Sequence, residues 1–148
     1  MWPFRQSPFR LMALDQDAVL IMRVVGPFDA GQWISTLNNF FQMRPEAACF
    51  RLILDMRFAV GMIGESQFNA LRDQRLSSRQ KLGFSGQPDG PHALISPAAQ
   101  PLEALADAHR AIFPDTIIHL TDNVPSGWRA VMGDQPMPAN IQQFFAQR

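Results

Sequence analysis

The sequence has little from which to build a disulfide or a metal site. Its 148 residues contain one cysteine, Cys49, which excludes an internal disulfide and a cysteine-rich zinc site. Cys49 precedes a hydrophobic segment, and no histidine is close to it in the sequence. We therefore expect a small buried side chain rather than a nucleophile.

Neither sign of charge is in excess. Lys and Arg together number 13, as do Asp and Glu, so the formal net charge is zero. This argues against nucleic acid as a partner, because binding to phosphates requires a surplus of positive charge. Of the basic residues, only Lys81 is lysine.

Long hydrophobic runs are missing as well. Pro3 and Pro8 interrupt the first 17 residues, which contain no apolar core of signal-peptide length. No stretch approaches the roughly 18 apolar residues that a membrane span requires. We expect a soluble, cytoplasmic protein without a transmembrane segment.

The glycine motifs of nucleotide enzymes are also absent. The sequence has no G-x-G-x-x-G and no G-x-x-x-x-G-K-[ST] pattern, and no G-x-S-x-G nucleophile elbow. We accordingly predict no enzymatic activity, no catalytic residue, no cofactor and no bound metal.

Strand and helix patterns alternate along the chain. Two strands, 10–14 and 17–26, are joined by a short polar segment suited to a hairpin. The remaining predicted strands are 48–56, 92–96 and 116–120, and the predicted helices are 29–44, 65–82, 100–113 and 123–132. This order predicts an α/β fold with a single-layer, mixed, mostly parallel sheet of four or five strands and packed helices.

We expect one domain over 1–148, with its core at about 17–132 and a linker and amphipathic tail helix at 133–148. Asp29 and Gln32 have the spacing of a capping box at the start of the first helix. The apolar face of that helix is predicted from three- and four-residue spacing and comprises Ala30, Trp33, Ile34, Leu37, Phe40 and Phe41.

The segment "LILDMRFAVGMIGESQFNAL", 52–71, followed by "HALIS" and "TIIHL", resembles the STAS family. That family includes anti-sigma-factor antagonists and the cytoplasmic tails of sulphate transporters. Leu54-Asp55-Met56 matches the Leu-Asp-Leu-like end of a family strand. The Asp-Ser-Ser-Gly motif that follows aligns with Ile63, Gly64, Glu65 and Ser66, so the aspartate is lost and Ser66 reaches the phosphoserine position only with a shift of two residues.

The resemblance implies a non-enzymatic regulatory or protein–protein interaction module. Its partner-binding surface would comprise the loop and helix start at 58–68 and the arginines on the helix that follows. Those arginines lie at steps of three and four, on one helical stripe that suits an acidic partner surface, a phosphorylated group or anionic lipid. The predicted residues are Gly61, Gly64, Glu65, Ser66, Arg72, Arg75 and Arg79, with Ser66 also a candidate for phosphorylation.

A structural interpretation of the same residues is open. Gly61 and Gly64 would make the turn, Ser66 would cap the helix, and the arginines would form a solvated face. Asp55 would accept backbone N–H bonds of the next loop.

Two other functions are open. The eight methionines and twelve phenylalanines suit a carrier of a small apolar ligand or lipid, although they suit a core equally well. Alternatively, Asp55 with His92 or His119 would form an enzyme or metal site if neighbouring strands bring the two histidines to one side of the sheet. Aromatic residues near both ends would either fold back over the sheet or form the interface of a homodimer, namely Trp2, Phe4, Phe9, Phe144 and Phe145.

Overall fold

The structure is a computed structural model that describes residues 7–61, 63–84, 90–95 and 102–148. The described residues form one five-stranded sheet, made of β1 (Phe9–Leu14), β2 (Val19–Pro27), β3 (Arg51–Val60), β4 (His92–Ile95) and β5 (Ile118–Thr121). Five α-helices accompany it: α1 (Ala30–Met43), α2 (Glu65–Lys81), α3 (Leu102–Ile112), α4 (Val124–Met132) and α5 (Ala139–Ala146). The predictions for Trp2, Phe4, 96 and 100–101 lie outside the described residues.

The strands follow one another across the sheet in the order β1-β2-β3-β4-β5. β1 and β2 form the antiparallel hairpin, while β2, β3, β4 and β5 run parallel. Parallel strands are joined by right-handed connections, and here each connection leads to the next strand in the same direction across the sheet. The connecting helices α1, α2 and α3 therefore lie on the same face of the sheet. The mixed, mostly parallel α/β sheet predicted from the sequence is thereby confirmed.

Two hydrophobic clusters cover the two faces of the sheet. On one face, α1, α2 and α3 pack on alternate strand residues such as Leu20, Leu52 and Leu94. On the other, α4 and α5 pack on the intervening residues, including Ile21 and Ile53. This alternation follows from the two-residue period of a strand.

Local signals in the sequence explain most helix ends. The Asp29–Gln32 capping box is present at the start of α1, and Asn123 caps α4 by accepting a hydrogen bond from the Ser126 amide. Gly133, at a φ of +65°, follows the last turn of α4. That positive φ favours glycine, and it turns the chain into the 134–138 linker.

Several details differ from the sequence predictions. A 3-10 helix at Pro45–Cys49 delays the start of β3, which then extends to Val60, so 58–60 are strand rather than loop. The side chain of Ile34 is 47 % exposed because it lies beside the buried stripe of α1. Cys49 is exposed, not buried, because it ends the 3-10 helix instead of entering the sheet.

The pairing between β2 and β3 shifts its register between Arg23 and Val25. Arg23 pairs with Asp55, but Val25 pairs with Phe58, so β3 contains one extra residue. Such a bulge changes which face the later residues occupy. The bulge lies beside Arg57, close to the end of α5.

Candidate functional site

A buried ion-pair cluster joins the middle of β2 and β3. The Arg23 Nε lies 2.9 Å from Asp55 Oδ2, and the Arg57 Nε lies 2.9 Å from Asp55 Oδ1. Asp55 Oδ1 also accepts a hydrogen bond from the Arg57 amide at 3.2 Å. Because Asp55 is buried and both of its oxygens are engaged, its role is structural rather than that of a free base.

The same two arginines hold the end of α5. Arg23 donates to the carbonyls of Phe144 and Gln147, and Arg57 Nη2 donates to the carbonyl of Phe145 at 2.8 Å. The last carbonyls of a helix have no intrahelical partner, so these bonds supply what α5 lacks. Burial lowers the pKa of Arg23, and the hydrogen bond to Asp55 opposes that shift.

A cavity of about 780 Å³ opens between α4, the 134–138 linker and α5. This volume lies within the range typical of small-molecule sites. The Trp128 indole fixes one wall by donating to the Gln135 carbonyl at 2.8 Å. The lining residues are Arg57, Val124, Pro125, Trp128, Arg129, Gly133, Asp134, Gln135, Pro136, Met137, Gln142, Phe145 and Ala146.

The lining of this cavity combines apolar and charged side chains. Trp128 and Phe145 are buried in the same hydrophobic cluster and form the apolar part of the cavity wall. Two arginines, Arg57 and Arg129, and one carboxylate, Asp134, are the charged side chains of the lining. The site therefore presents an apolar surface beside donors that suit an anionic or polar group.

The predicted partner-binding loop is shorter than expected. Gly61 has a φ of +133°, and a Cβ added there would lie 3.3 Å from the Phe28 ring, so both the conformation and the space favour glycine. Gly64 is the N-cap of α2, and its amide donates to the Gln67 side chain. Glu65 and Ser66 are exposed in the first turn. Ser66 therefore lies inside the helix and does not cap it.

The arginine stripe of α2 is not the exposed surface that we predicted. Arg72 is exposed, but Arg75 and Arg79 are only 1 % and 4 % exposed. Arg75 Nη2 donates to the Phe50 carbonyl at 2.7 Å, and Arg79 Nε donates to the Ala48 carbonyl at 2.7 Å. Arg75 and Arg79 face inward because they donate to the carbonyls around the 3-10 helix. Burial lowers the pKa of each of the two buried arginines to about 10.

The prediction that His92 and His119 share one side of the sheet is wrong. His119 pairs with Ala93 in the β4–β5 register, which places it on the face opposite to His92. His92 instead contacts His109 of α3, with 3.0 Å between His92 Nδ1 and His109 Nε2. Burial lowers the pKa of His109 to about 3 and that of His92 well below its usual value.

Asp55 is not brought together with either histidine that we considered. His92 faces the other side of the sheet, and His119 lies two strands away from Asp55, about 12 Å distant by strand spacing. Among the residues that the structure describes, no group of three or more His, Cys, Asp and Glu side chains is placed to hold a metal ion.

The sequence was compared with protein-family models and with curated proteins. No protein-family model matches the sequence, and no curated protein matches it at a significant level. The STAS resemblance therefore remains a prediction. In the described part of the chain, no helix combines the length and apolar character needed to cross a bilayer.

Sequence reasoning missed the cavity. Its walls come from β3, α4, the linker and α5, and no local pattern of residues connects those segments. The composition of the linker, with Pro136, Met137 and Pro138, predicted a connection between two helices but not a cavity wall. One signal was available: Arg57 interrupts the second half of an otherwise apolar strand, which is typical of a position with a specific polar partner.

Proposed function

We propose that this protein is a non-enzymatic module that binds a small molecule in the cavity between α4 and α5. The observation that supports this proposal is the cavity itself, whose volume of about 780 Å³ suits a ligand of metabolite or drug size. Of the functions left open by the sequence, this corresponds to the ligand carrier, with the site placed at α4 and α5.

The construction of the walls supports ligand binding. The Trp128–Gln135 hydrogen bond ties the linker to α4, while the carbonyls at the end of α5 are held by Arg23 and Arg57. A site whose walls are fixed in this way loses little conformational entropy when a ligand enters. The cavity is therefore preorganised.

A neutral fluorescent probe, N-phenylnaphthylamine, tests this proposal. Gln142 lines the cavity, whereas its exposed neighbour Gln143 does not, so Gln142→Trp and Gln143→Trp are a matched pair. We expect the probe to bind wild type and Gln143→Trp with equal affinity, and Gln142→Trp at least about tenfold more weakly because the indole fills the site. Absence of binding to wild type, or equal binding to all three proteins, would refute the proposal.

A regulatory interaction surface is the second candidate function. Its support is the exposure of Glu65, Ser66 and Arg72 along the start of α2, next to Val60, which is 58 % exposed at the end of β3. A phosphate on Ser66 would lie near the positive end of the α2 dipole, where an anion is favoured.

A pull-down from native lysate tests this second candidate. Wild type is compared with Ser66→Glu and Arg72→Glu, and Arg110→Glu on α3 is the exposed control. We expect a captured protein whose recovery changes in the first two variants and not in the control. Identical recovery from all four samples contradicts the candidate.

A further inference from the structure

We propose that the ligand of the α4–α5 cavity is an amphipathic anion. Its charged group would bind Arg57 and Arg129, and its apolar part would pack against Trp128, Met137 and Phe145. This inference deepens the proposed function and rests on it, because it names the chemical class that the cavity accepts.

Arg57 has donors left for such a ligand. Its Nε and Nη2 bind Asp55, and Nη2 also donates to the Phe145 carbonyl. Its Nη1 makes no hydrogen bond to any residue in the described ranges. A guanidinium carries five N–H donors in a rigid fork, and Arg57, which lines the cavity, is 26 % exposed. An anion there would accept hydrogen bonds from the remaining Nη1 donors.

Arg129 supplies a second cation from α4. It is exposed, it lines the cavity, and within 7–61, 63–84, 90–95 and 102–148 its side chain forms no ion pair or hydrogen bond. It follows directly after Trp128, so the cationic and aromatic parts of the wall come from adjacent residues. A ligand with an apolar ring or chain next to its charge matches this arrangement.

The charges around the site favour an anion overall. Arg23 and Arg57 share the single carboxylate of Asp55, which leaves one positive charge in that cluster. The other charged side chains of the lining, Arg129 and Asp134, sum to zero formal charge. The net charge of the lining together with the buried cluster is therefore positive, and the low dielectric of the neighbouring core strengthens its attraction for an anion.

A pair of probes that differ by one charged group tests the inference. Anilinonaphthalene sulfonate has the same ring system as N-phenylnaphthylamine but carries a sulfonate. Both are titrated against wild type, Arg57→Gln and Arg129→Gln. Arg72→Gln is the control, because Arg72 is an exposed arginine on the opposite face of the sheet.

We expect each cavity variant to weaken the sulfonate by about three- to tenfold, the range of a partly exposed charge-assisted contact. In Arg129→Gln, binding of the neutral probe should change less than about twofold, because burial of its rings is unaltered. In Arg57→Gln the neutral probe should weaken as well, but less than the sulfonate, because Arg57 also holds the Phe145 carbonyl at the cavity wall. Arg72→Gln should change neither. Added salt should weaken the sulfonate alone, because salt screens charges near the surface.

The outcomes separate this inference from the proposed function. If neither probe binds wild type, the proposed function fails. If both bind but the arginine variants weaken the two probes equally, the cavity binds ligands without selecting for charge, and the anion proposal is overturned. Arg129→Gln keeps the test decisive even if Arg57→Gln disturbs folding, because the Arg129 side chain is exposed and supports no other residue in the described structure.

Discussion

Lowering the pH from about 7.5 to about 5 should destabilise the protein through the buried His92–His109 pair. An unfolded histidine has a pKa near 6.5. Folding lowers the pKa of His109 to about 3, and lowers that of His92 well below its usual value. The unfolded chain therefore binds more protons than the folded chain at pH 5. The stability provided by these groups is present above about pH 6.5 and declines as the pH falls toward the folded pKa.

The magnitude follows from the linkage relation. At about pH 5, His109 costs about 2 kcal/mol of the free energy of unfolding, and the lowered pKa of His92 adds to this loss in the same direction. Burial is the largest cause, and Arg75 and Arg79 of α2 and Arg110 of α3 add repulsion against a charged imidazole. A loss of this size is a large fraction of the 5–15 kcal/mol of a typical domain.

Urea unfolding at a series of pH values, followed by tryptophan fluorescence, measures this loss. We compare wild type with a His92→Leu/His109→Leu double variant, and use His119→Leu as a control because His119 is only half-buried. The double variant should lose less than about 1 kcal/mol over the same pH range, whereas the control should behave as wild type does. If the double variant does not fold, His109→Leu alone should lose about 2 kcal/mol less than wild type over the same pH range.

Two results would refute this reasoning. One is a wild-type free energy of unfolding that is constant from about pH 7.5 to about pH 5. The other is a double variant that loses stability as steeply as wild type, which would assign the proton uptake to other groups.

Further predictions concern the buried cluster, the β3–α2 turn and the α1–α2 contact. Arg23→Met should lower the free energy of unfolding by about 2–4 kcal/mol, because it leaves the Phe144 and Gln147 carbonyls without their donor, although Arg57 still pairs with Asp55; Arg44→Met, which removes two surface ion pairs, should change far less, and urea unfolding measures both. Gly61→Ala should cost about 1–3 kcal/mol, because its φ of +133° is strained for alanine, which thermal unfolding checks. Trp33→Phe removes the indole bond to the Gln67 carbonyl and should cost about 1–3 kcal/mol by urea unfolding.

The order of elements was predictable because it depends on local signals. Strand periodicity, the Asp29 cap and the proline and glycine breaks each act over a few residues, and together they indicated the α/β fold that the structure has. Boundaries were less certain where a tertiary effect competed with a local one. The start of β3 is an example, since the 3-10 helix at Pro45–Cys49 includes Ala48 and Cys49, which were predicted as the first residues of the strand.

The candidate site was harder to predict because periodicity shows which residues share a face but not what that face meets. Arg72, Arg75 and Arg79 do lie along one side of α2, as their spacing indicated. Whether such a stripe faces solvent or the core depends on acceptors elsewhere in the chain, here the carbonyls of Ala48 and Phe50. Those acceptors become visible only once the fold is known.

Several arginines make contacts that a lysine could not reproduce. Arg23 binds Asp55 through Nε and two carbonyls of the α5 end through its two Nη atoms, which requires three donors held in one plane. A lysine ammonium is a point donor on a flexible stem and cannot reach all three acceptors from one position. Arg51, which donates to the Val131 carbonyl at 2.7 Å, and the inward-facing Arg75 also bind backbone carbonyls. Composition gives the number of arginines but not their acceptors, which here include backbone carbonyls near the ends of α4, α5 and the 3-10 helix.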